Sequence, residues 1–247
     1  MAPTQGQRTL IIIPTYNERE SIRILVERAR EIIDADILII DDNSPDGTGE
    51  LIRRLAEDDR HIHVVRRKAK QGIGSAYRLG FQWAFSRDYT FLIQMDADLS
   101  HDPGYLKDFA AQRGEFDLVI GSRYVSGGRI RNWKRLRKLT SWAGNIYTLI
   151  VLRLKDRRYQ IHDSTSGFKS WRVRLLREMS VDETSSEGYA FQIDLHWRAV
   201  QHNARILEIP IVFEDRKAGQ SKLGGAKVVF EALVVPWKLR NKLTLQE

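Results

Sequence analysis

The 247-residue chain contains no cysteine. That excludes disulfides, thiolate zinc sites and a thiol nucleophile, and it agrees with a reducing compartment. No apolar run reaches the ~18 residues that a spanning helix needs. The longest candidates, 146–154 and 228–239, are both interrupted by charge. Residues 1–8 are polar and offer none of the apolar stretch of a signal peptide. Any membrane contact is therefore expected to be peripheral. Repeats and low-complexity linkers are also missing, so one domain over 1–247 is expected. The 42% hydrophobic content suits an ordinary globular core and argues against global disorder.

Acidic residues are missing from one long stretch. Between Asp117 and Asp156 there is none, while Arg123, Arg129, Arg131, Lys134, Arg135, Arg137, Lys138, Arg153 and Lys155 fall inside the gap. This concentrates the formal net charge of +8. A partner bearing phosphate or another anion is implied: a nucleic acid, an anionic membrane surface or a phosphorylated substrate. The position beside Gly127-Gly128 favours an anion-handling loop.

What is present is an alternation of strands and helices. Short β-branched runs at 9–13 and 37–40 read as strands buried on both faces. They are followed by helical patterns at 21–33 and from Thr48, as a cap, to about 58. A third strand at 63–65, a helix opening at Gly72-Ile73-Gly74, a fourth strand at 91–95 and a fifth at 116–120 continue the series. Asp102-Pro103 is a helix start, with a capping acid followed by proline. Alternation of this kind predicts an α/β fold, a mostly parallel central sheet flanked by helices on both faces. Beyond Arg123 the order changes. A basic loop at 125–135 leads to a helix at 136–154, and 166–169 reads as a short edge strand. Helices follow at 172–179 and 191–202, and 206–213 reads as an edge strand because it contains Pro210. A Gly- and Lys-rich loop at 219–225 then leads to a terminal amphipathic helix at 228–239.

Three strand ends carry polar groups to one edge of this sheet: 14–18, 41–46 and 96–100. Ligands of open α/β sheets bind at that edge. In the third, Met95-Asp96-Ala97-Asp98 sets two carboxylates one residue apart. They would repel unless a cation lay between them, and hard oxygen ligands suit Mg²⁺ or Mn²⁺. The alternative is a solvated turn. Tyr16 offers a ring for a base, and Glu18 and Asp42 can accept hydrogen bonds from a base or a ribose; equally, Tyr16 can be core and Glu18 can serve its helix dipole.

Pro14-Thr15-Tyr16-Asn17-Glu18, Asp41-Asp42-Asn43-Ser44-Pro45-Asp46-Gly47-Thr48, Gly72-Ile73-Gly74-Ser75-Ala76, Met95-Asp96-Ala97-Asp98 and Gly121-Ser122-Arg123-Tyr124 occur in that order. Together they resemble the polyprenol-phosphate (dolichol-phosphate-type) mannosyltransferases of inverting glycosyltransferase family 2, over about 9–222. The resemblance implies a GT-A fold, with 9–123 as the nucleotide-sugar half and 124–247 as the acceptor half. It implies GDP-mannose as donor and polyprenyl phosphate as acceptor. Pro14, Tyr16, Glu18, Ile40 and Asp42 would line the nucleoside pocket, and Asp96, Ala97 and Asp98 would touch the donor. Asp98 would be the main metal ligand, with Asp96 and Ser100 beside it. Arg216 and Lys222 would close over the diphosphate. Arg123 would serve the donor as well, and because arginine's fork suits phosphate oxygens, Arg123 and Arg137, with Ser141 nearby, are the candidates for holding the acceptor phosphate.

A polyprenyl monophosphate has a second pKa near ~6 and is already an adequate nucleophile at neutral pH. Positioning it and neutralising the departing diphosphate are then the catalytic tasks. One in-line displacement inverts the anomeric centre and gives a β-linked product. Asp98 and Arg123 are the candidate catalytic residues. The lipid tail calls for a membrane-facing surface: Trp133, Trp142, Ile146, Leu149, Ile150 and Val151, with Trp237, Lys238 and Arg240, can supply it or can be core. A peripheral place at the cytoplasmic face of a membrane is expected, with anchoring by a partner subunit or fused domain as an option. Many relatives carry spanning helices after the catalytic domain, and this sequence shows none.

Rival classes fit less well. An Asp-x-Asp phosphatase has its pair after the first strand, not the fourth. A dinucleotide dehydrogenase needs Gly-x-Gly-x-x-Gly after strand one, and Tyr77 stands where the third glycine would be. A nucleic-acid binder would use 129–138 but not three acidic loops, so no nucleic-acid partner is expected. Transfer of glucose from UDP-glucose and a non-catalytic nucleotide-binding module remain the alternatives.

Overall fold

The computed structural model describes residues 8–184, 186–215 and 226–242. Its strands are β1 (Arg8–Thr15), β2 (Asp36–Asp41), β3 (Ile62–Arg66), β4 (Tyr89–Gln94), β5 (Leu118–Ser122), β6 (Arg129–Arg131), β7 (Lys169–Arg172), β8 (Ile206–Pro210) and β9 (Val212–Glu214). Its helices are α1 (Arg19–Ile32), α2 (Thr48–Asp58), α3 (Ile73–Phe85), α4 (Leu106–Ala111), α5 (Arg135–Lys155), α6 (Val173–Glu178), α7 (Gly188–Gln201) and α8 (Ala226–Lys242). Seven strands form one sheet in the order β3-β2-β1-β4-β7-β5-β8, and β6 pairs with β9 in a second, small sheet. The β1–β2, β1–β4, β2–β3 and β5–β8 pairs are parallel, while β7 runs antiparallel to both neighbours.

Side-chain alternation divides the apolar strands between two cores. Leu10, Ile12, Leu38, Ile40 and Leu92 face α3 and α7. Ile11, Ile13, Ile37, Ile39 and Ile93 face α1, α2 and α4. The period of two puts successive residues on opposite faces, so a strand covered on both sides must be apolar throughout. That is why these runs carry no polar alternation. α3 comes close to the sheet at Gly80: a Cβ there would lie 2.8 Å from the Ile12 side chain, so a glycine is required for this approach.

Several details differ from the sequence expectation. The strand expected at 166–169 as an edge is β7, three residues later and interior to the sheet. Ser166 instead makes a turn, donating its hydroxyl to the Gly121 carbonyl at 2.7 Å, and buried Lys169 and Trp171 fill the space between β4 and β5. Thr48 does not cap α2. Gly47 holds the cap position at φ 84°, and the Asp46 carboxylate accepts from the Thr48 N–H (2.9 Å) and hydroxyl (2.6 Å). The run at 206–213 breaks at Ile211 into β8, on the edge as Pro210 requires, and β9 in the small sheet. The basic loop at 125–135 contains β6. The expected loop at 219–225 lies outside the described residues.

Candidate active site

Parallel strands β1, β2 and β4 deliver their carboxyl ends to one edge, and hydrogen bonds between loops fix that edge. Fully buried Asp41 accepts from the Thr15 hydroxyl (3.0 Å), the Ser44 N–H (3.1 Å) and the Ser44 hydroxyl (2.5 Å). The Asn17 N–H donates to Ser44 Oγ at 2.9 Å and the Glu18 N–H to Thr48 Oγ1 at 3.0 Å. The loop after β1 is thus bound to the loop after β2 before any ligand arrives.

Asp42 is buried and paired with Arg67, and it accepts the Gln71 N–H at 3.2 Å. Arg67 also donates to Ser75 Oγ (2.5 Å) and the Gly72 carbonyl (3.0 Å), so one guanidinium joins the end of β2 to the start of α3. Glu187 holds the same loop from the other side, accepting from the Gly74 N–H at 2.9 Å and from Arg78 at 2.5 Å. The Lys70 ammonium sits 4.4 Å from the centre of the Tyr16 ring. The side chain of Ile40 is fully buried in the core beneath α3, so its contribution to a nucleoside pocket is limited to its main chain. Pro14 lies beside it, the last residue but one of β1, paired in register with Ile40.

At the end of β4, Asp96 and Asp98 line one cleft of about 180 Å³ together with Ser100, His101, Arg123, Trp133, Arg137, Thr165 and Tyr189. Asp98, Ser100 and Asp215 also line a neighbouring cleft of about 950 Å³, with Glu18, Arg28, Asp46 and Arg131. Leu99 adopts a left-handed φ of 61°, and the Ser100 N–H donates to Asp98 Oδ1 at 3.0 Å. This side chain-to-backbone turn sets the direction of the Asp98 carboxylate. Ala97 points inward and is buried. Gly167 lies against Asp96: a Cβ there would stand 3.4 Å from the Asp96 carboxylate. His101 stacks on Phe168, and burial lowers its pKa against the pull of Asp96 and Asp98.

Among the described residues no group of three or more His, Asp or Glu is placed to hold a metal ion. Two carboxylates and a serine in one cleft, with Gly167 leaving room beside Asp96, fit an ion that takes only part of its shell from protein. Mg²⁺ and Mn²⁺ behave so, completing the shell with water and phosphate oxygens.

Arg123, at the end of β5, is buried and bound to Asp163, and its faces meet Tyr124, Trp133 and Phe213. Burial opposes its charge, but Asp163 more than offsets this and its pKa is raised. Arg137 stacks on Trp133 at 4.0 Å and donates to Asp215 at 2.8 Å. Ser141 lies outside both cleft linings; its hydroxyl accepts from Tyr124 at 2.7 Å. Arg216 and Lys222 lie outside the described residues. The structure therefore gathers Asp96, Asp98, Ser100, Arg123 and Arg137 into one cleft and Glu18 into its neighbour. Pro14, Tyr16, Ile40 and Asp42 sit at the adjoining strand ends and line neither cleft.

Sequence reasoning overlooked Arg67, Asp163, Thr165 and Glu187. A signal for one of them is charge balance: an arginine that ends a buried strand requires a buried acid, although the sequence offers both Asp156 and Asp163 after the acid-free stretch. Trp133 and Val151, offered as bilayer-facing, are buried; Trp142 and Ile150 are exposed.

Known structures share this architecture. A mannosyltransferase from Pyrobaculum calidifontis, in complex with GDP-Man and Mn²⁺, superposes with a TM-score of 0.54 at 13% identity, covering 99% of this chain and 77% of its own. GalNAc-T7 with UDP, GalNAc and Mn²⁺ gives 0.59 at 13% identity, covering 94% and 49%. At these identities the likeness defines the fold alone, and that fold is the GT-A fold of glycosyltransferases.

Sequence similarity is more specific. A family model described as "Glycosyl transferase family 2" matches residues 10–180, and the chain belongs to that family. An undecaprenyl-phosphate mannosyltransferase of Micrococcus luteus is 43% identical over 228 residues, 92% of this chain and 91% of its own. A polyprenol monophosphomannose synthase of Mycolicibacterium smegmatis is 43% identical over 243 residues, 96% and 89%.

Proposed function

We propose that the chain transfers mannose from GDP-mannose to a polyprenyl monophosphate, with inversion to a β-linked product, as one GT-A catalytic domain. The observation that carries this reading is one cleft whose lining includes both the pair Asp96 and Asp98 and the pair Arg123 and Arg137. Acids that suit a cation and diphosphate thus share a cleft with arginines that suit a second phosphate. The 43% identity to two enzymes named for polyprenyl-phosphate mannose chemistry supports the same choice of substrates.

Asp98, with Asp96 and Ser100, would hold Mg²⁺ or Mn²⁺. That ion, when bound, supplies Lewis-acid neutralisation of the departing diphosphate. Pro14, Tyr16, Glu18, Ile40 and Asp42 form the nucleoside wall, Ile40 through its main chain; Lys70 moves off the Tyr16 ring or joins the stack. Arg123 and Arg137 hold the acceptor phosphate in line with the anomeric carbon, Ser141 supports them through Tyr124, and Arg216 and Lys222 cover the diphosphate. No general base is required, because the phosphate is already ionised.

The acceptor's tail points to a bilayer. Leu136, Leu139, Trp142, Ile150 and Leu154 are exposed on α5 within the stretch that lacks acids. No helix among the described residues is long and apolar enough to cross a membrane. A peripheral seat on an anionic cytoplasmic leaflet, with α5 lying in the interface, reconciles the two.

The test is transfer of radiolabel from GDP-mannose to polyprenyl phosphate by the purified chain, in parallel with UDP-glucose. Melting-temperature shifts with GDP and with UDP, each with Mn²⁺, give donor choice independently of turnover. Label transfer from UDP-glucose and not from GDP-mannose would overturn the donor; no transfer from either would overturn the enzyme reading.

A further inference from the structure

Asp163 has no part in the proposed chemistry, yet it is fully buried, and three donors of one residue converge on its carboxylate. Arg123 gives it the backbone N–H (2.9 Å to Oδ2), Nε–H (2.8 Å to Oδ2) and Nη2–H (2.7 Å to Oδ1). The other Nη2 proton goes to Thr165 Oγ1 at 2.8 Å. Tyr124, Trp133 and Phe213 stand 5.3–5.6 Å from the guanidinium carbon. One edge of the guanidinium is therefore tied, and aromatic rings surround it. Only the two Nη1 protons make no hydrogen bond among the described residues, and Arg123 lines the cleft that holds Asp96 and Asp98.

The acid is itself fixed. Its own N–H donates to Glu208 Oε1 at 2.9 Å, and the His162 N–H donates to Oε2 of the same residue at 2.8 Å, which binds the turn to strand β8. Thr165 also receives the Asn145 amide at 3.4 Å, which links it to α5.

We infer that Asp163, assisted by Thr165, is a positioning residue for the acceptor phosphate: it locks Arg123 so that Nη1 is the edge presented to the cleft. The inference rests on the reading in which Arg123 meets that phosphate. It has a physical consequence. A guanidinium whose charge is balanced by a buried carboxylate acts on a ligand as a directional donor rather than as a net positive charge. Direction, not attraction, is then what the pair contributes, and geometric errors of a fraction of an ångström matter.

Removing the carboxylate would confound the test, because it would also raise the potential felt by any anion. Charge-conserving variants avoid this. Asp163→Glu keeps the charge and displaces the fork by one methylene; Thr165→Val deletes the acceptor for Arg123 Nη2 together with a 3.4 Å hydroxyl bond to Asp163 Oδ1, and leaves every charge in place. The probe is farnesyl monophosphate, its binding measured by calorimetry on the full chain, with GDP plus Mn²⁺ as control. Loss of one charge-assisted hydrogen bond corresponds to about a ten-fold or larger change in affinity. We expect farnesyl phosphate to bind about ten-fold more weakly to Asp163→Glu and at least about three-fold more weakly to Thr165→Val, with GDP affinity within about two-fold of wild type. The acceptor KM should rise in the same order with kcat little changed. If Asp163→Glu does not fold, Thr165→Val decides alone. Arg123→Gln separates the two levels: wild-type affinity for farnesyl phosphate in that variant would sink the acceptor-phosphate role of Arg123 and this inference with it. Weak binding by Arg123→Gln, with wild-type binding by Thr165→Val and by folded Asp163→Glu, would sink the positioning role only. Equal weakening of GDP and farnesyl phosphate would also overturn it, since that is the mark of a structural defect.

Discussion

Arg137 donates to the carboxylate of Asp215 at 2.8 Å, and both residues line the cleft that holds Asp96 and Asp98. An arginine proposed to receive a phosphate is thus already engaged by an acid. Both side chains are about one-third exposed, and such pairs contribute about 1 kcal/mol or less. An incoming dianion can therefore displace Asp215 at small cost. Asp215→Asn should lower the apparent KM for polyprenyl phosphate by up to about five-fold. Initial rates over a range of acceptor concentrations measure this; a raised KM would show that Asp215 helps acceptor binding rather than competing with it.

Asp98 presents its carboxylate to both clefts, held by the Ser100 N–H. Asp98→Ala should reduce transfer by about 10³-fold or more, as expected when the group stabilising developing charge is lost. Being only partly buried, Asp98 should matter little to folding, with stability within about 1 kcal/mol of wild type. Turnover near wild type would end the proposal that this residue holds the metal and diphosphate.

Arg67 offers a contrast, because its partner is buried with it. Arg67→Met leaves Asp42 charged and without its cation, and breaking a buried pair in this way costs about 3–5 kcal/mol. The urea midpoint should fall accordingly. GDP affinity should fall too, since the same guanidinium ties the end of β2 to Gly72 and Ser75. A small stability loss would mean that Asp42 is solvated in the absence of Arg67.

The nucleotide half was legible because its signals are local. Ile11, Ile12 and Ile13 can only be a strand covered on both faces, and Asp96-Ala97-Asp98 follows such a strand directly. The second half depends on contacts distant in sequence. β7 is four residues long, and nothing in Lys169-Ser170-Trp171-Arg172 announces that it inserts antiparallel between β4 and β5. The break at Ile211 is set by the β6–β9 pairing, which no local pattern encodes. The partners of the site arginines were equally hidden: Asp163 lies 40 residues from Arg123 and Asp215 lies 78 from Arg137.

Asp156, just past the end of α5, gives a prediction about acid. Its pKa is pushed down to about 2, first by hydrogen bonds from the Arg158 guanidinium, against burial, and with help from Gln201 on α7. A carboxylate lowered from 3.8 stabilises the fold fully above about pH 4, and that contribution disappears as pH falls from there toward 2. Asp156→Asn should therefore cost about 1–2 kcal/mol at neutral pH and progressively less in acid. Urea unfolding of both proteins at neutral pH and near pH 3 tests this; a difference independent of pH would show that the aspartate acts through packing alone.

Helix α5 carries the last prediction. Val151 and Leu152 face the core, while Leu136, Leu139, Trp142, Ile150 and Leu154 are exposed, and Tyr147 donates to the Leu233 carbonyl of α8 at 2.8 Å to hold the helix in place. Five large apolar side chains left in water cost about 1.5–3 kcal/mol each relative to full burial. Lys138 and Arg153, on the same helix, add attraction to anionic headgroups of about 1 kcal/mol each near the surface. Co-sedimentation with anionic phospholipid vesicles should therefore be strong at low salt and weaker at high salt. Leu139→Glu with Ile150→Glu should reduce binding by at least about ten-fold, because apolar area is lost and like charge is added. Neither side chain supports the fold, so the melting temperature should stay within about 2 °C. Transfer to an acceptor embedded in vesicles should fall with binding, whereas transfer to a detergent-dispersed acceptor should not. Unchanged sedimentation in the double variant would assign the membrane contact to another surface.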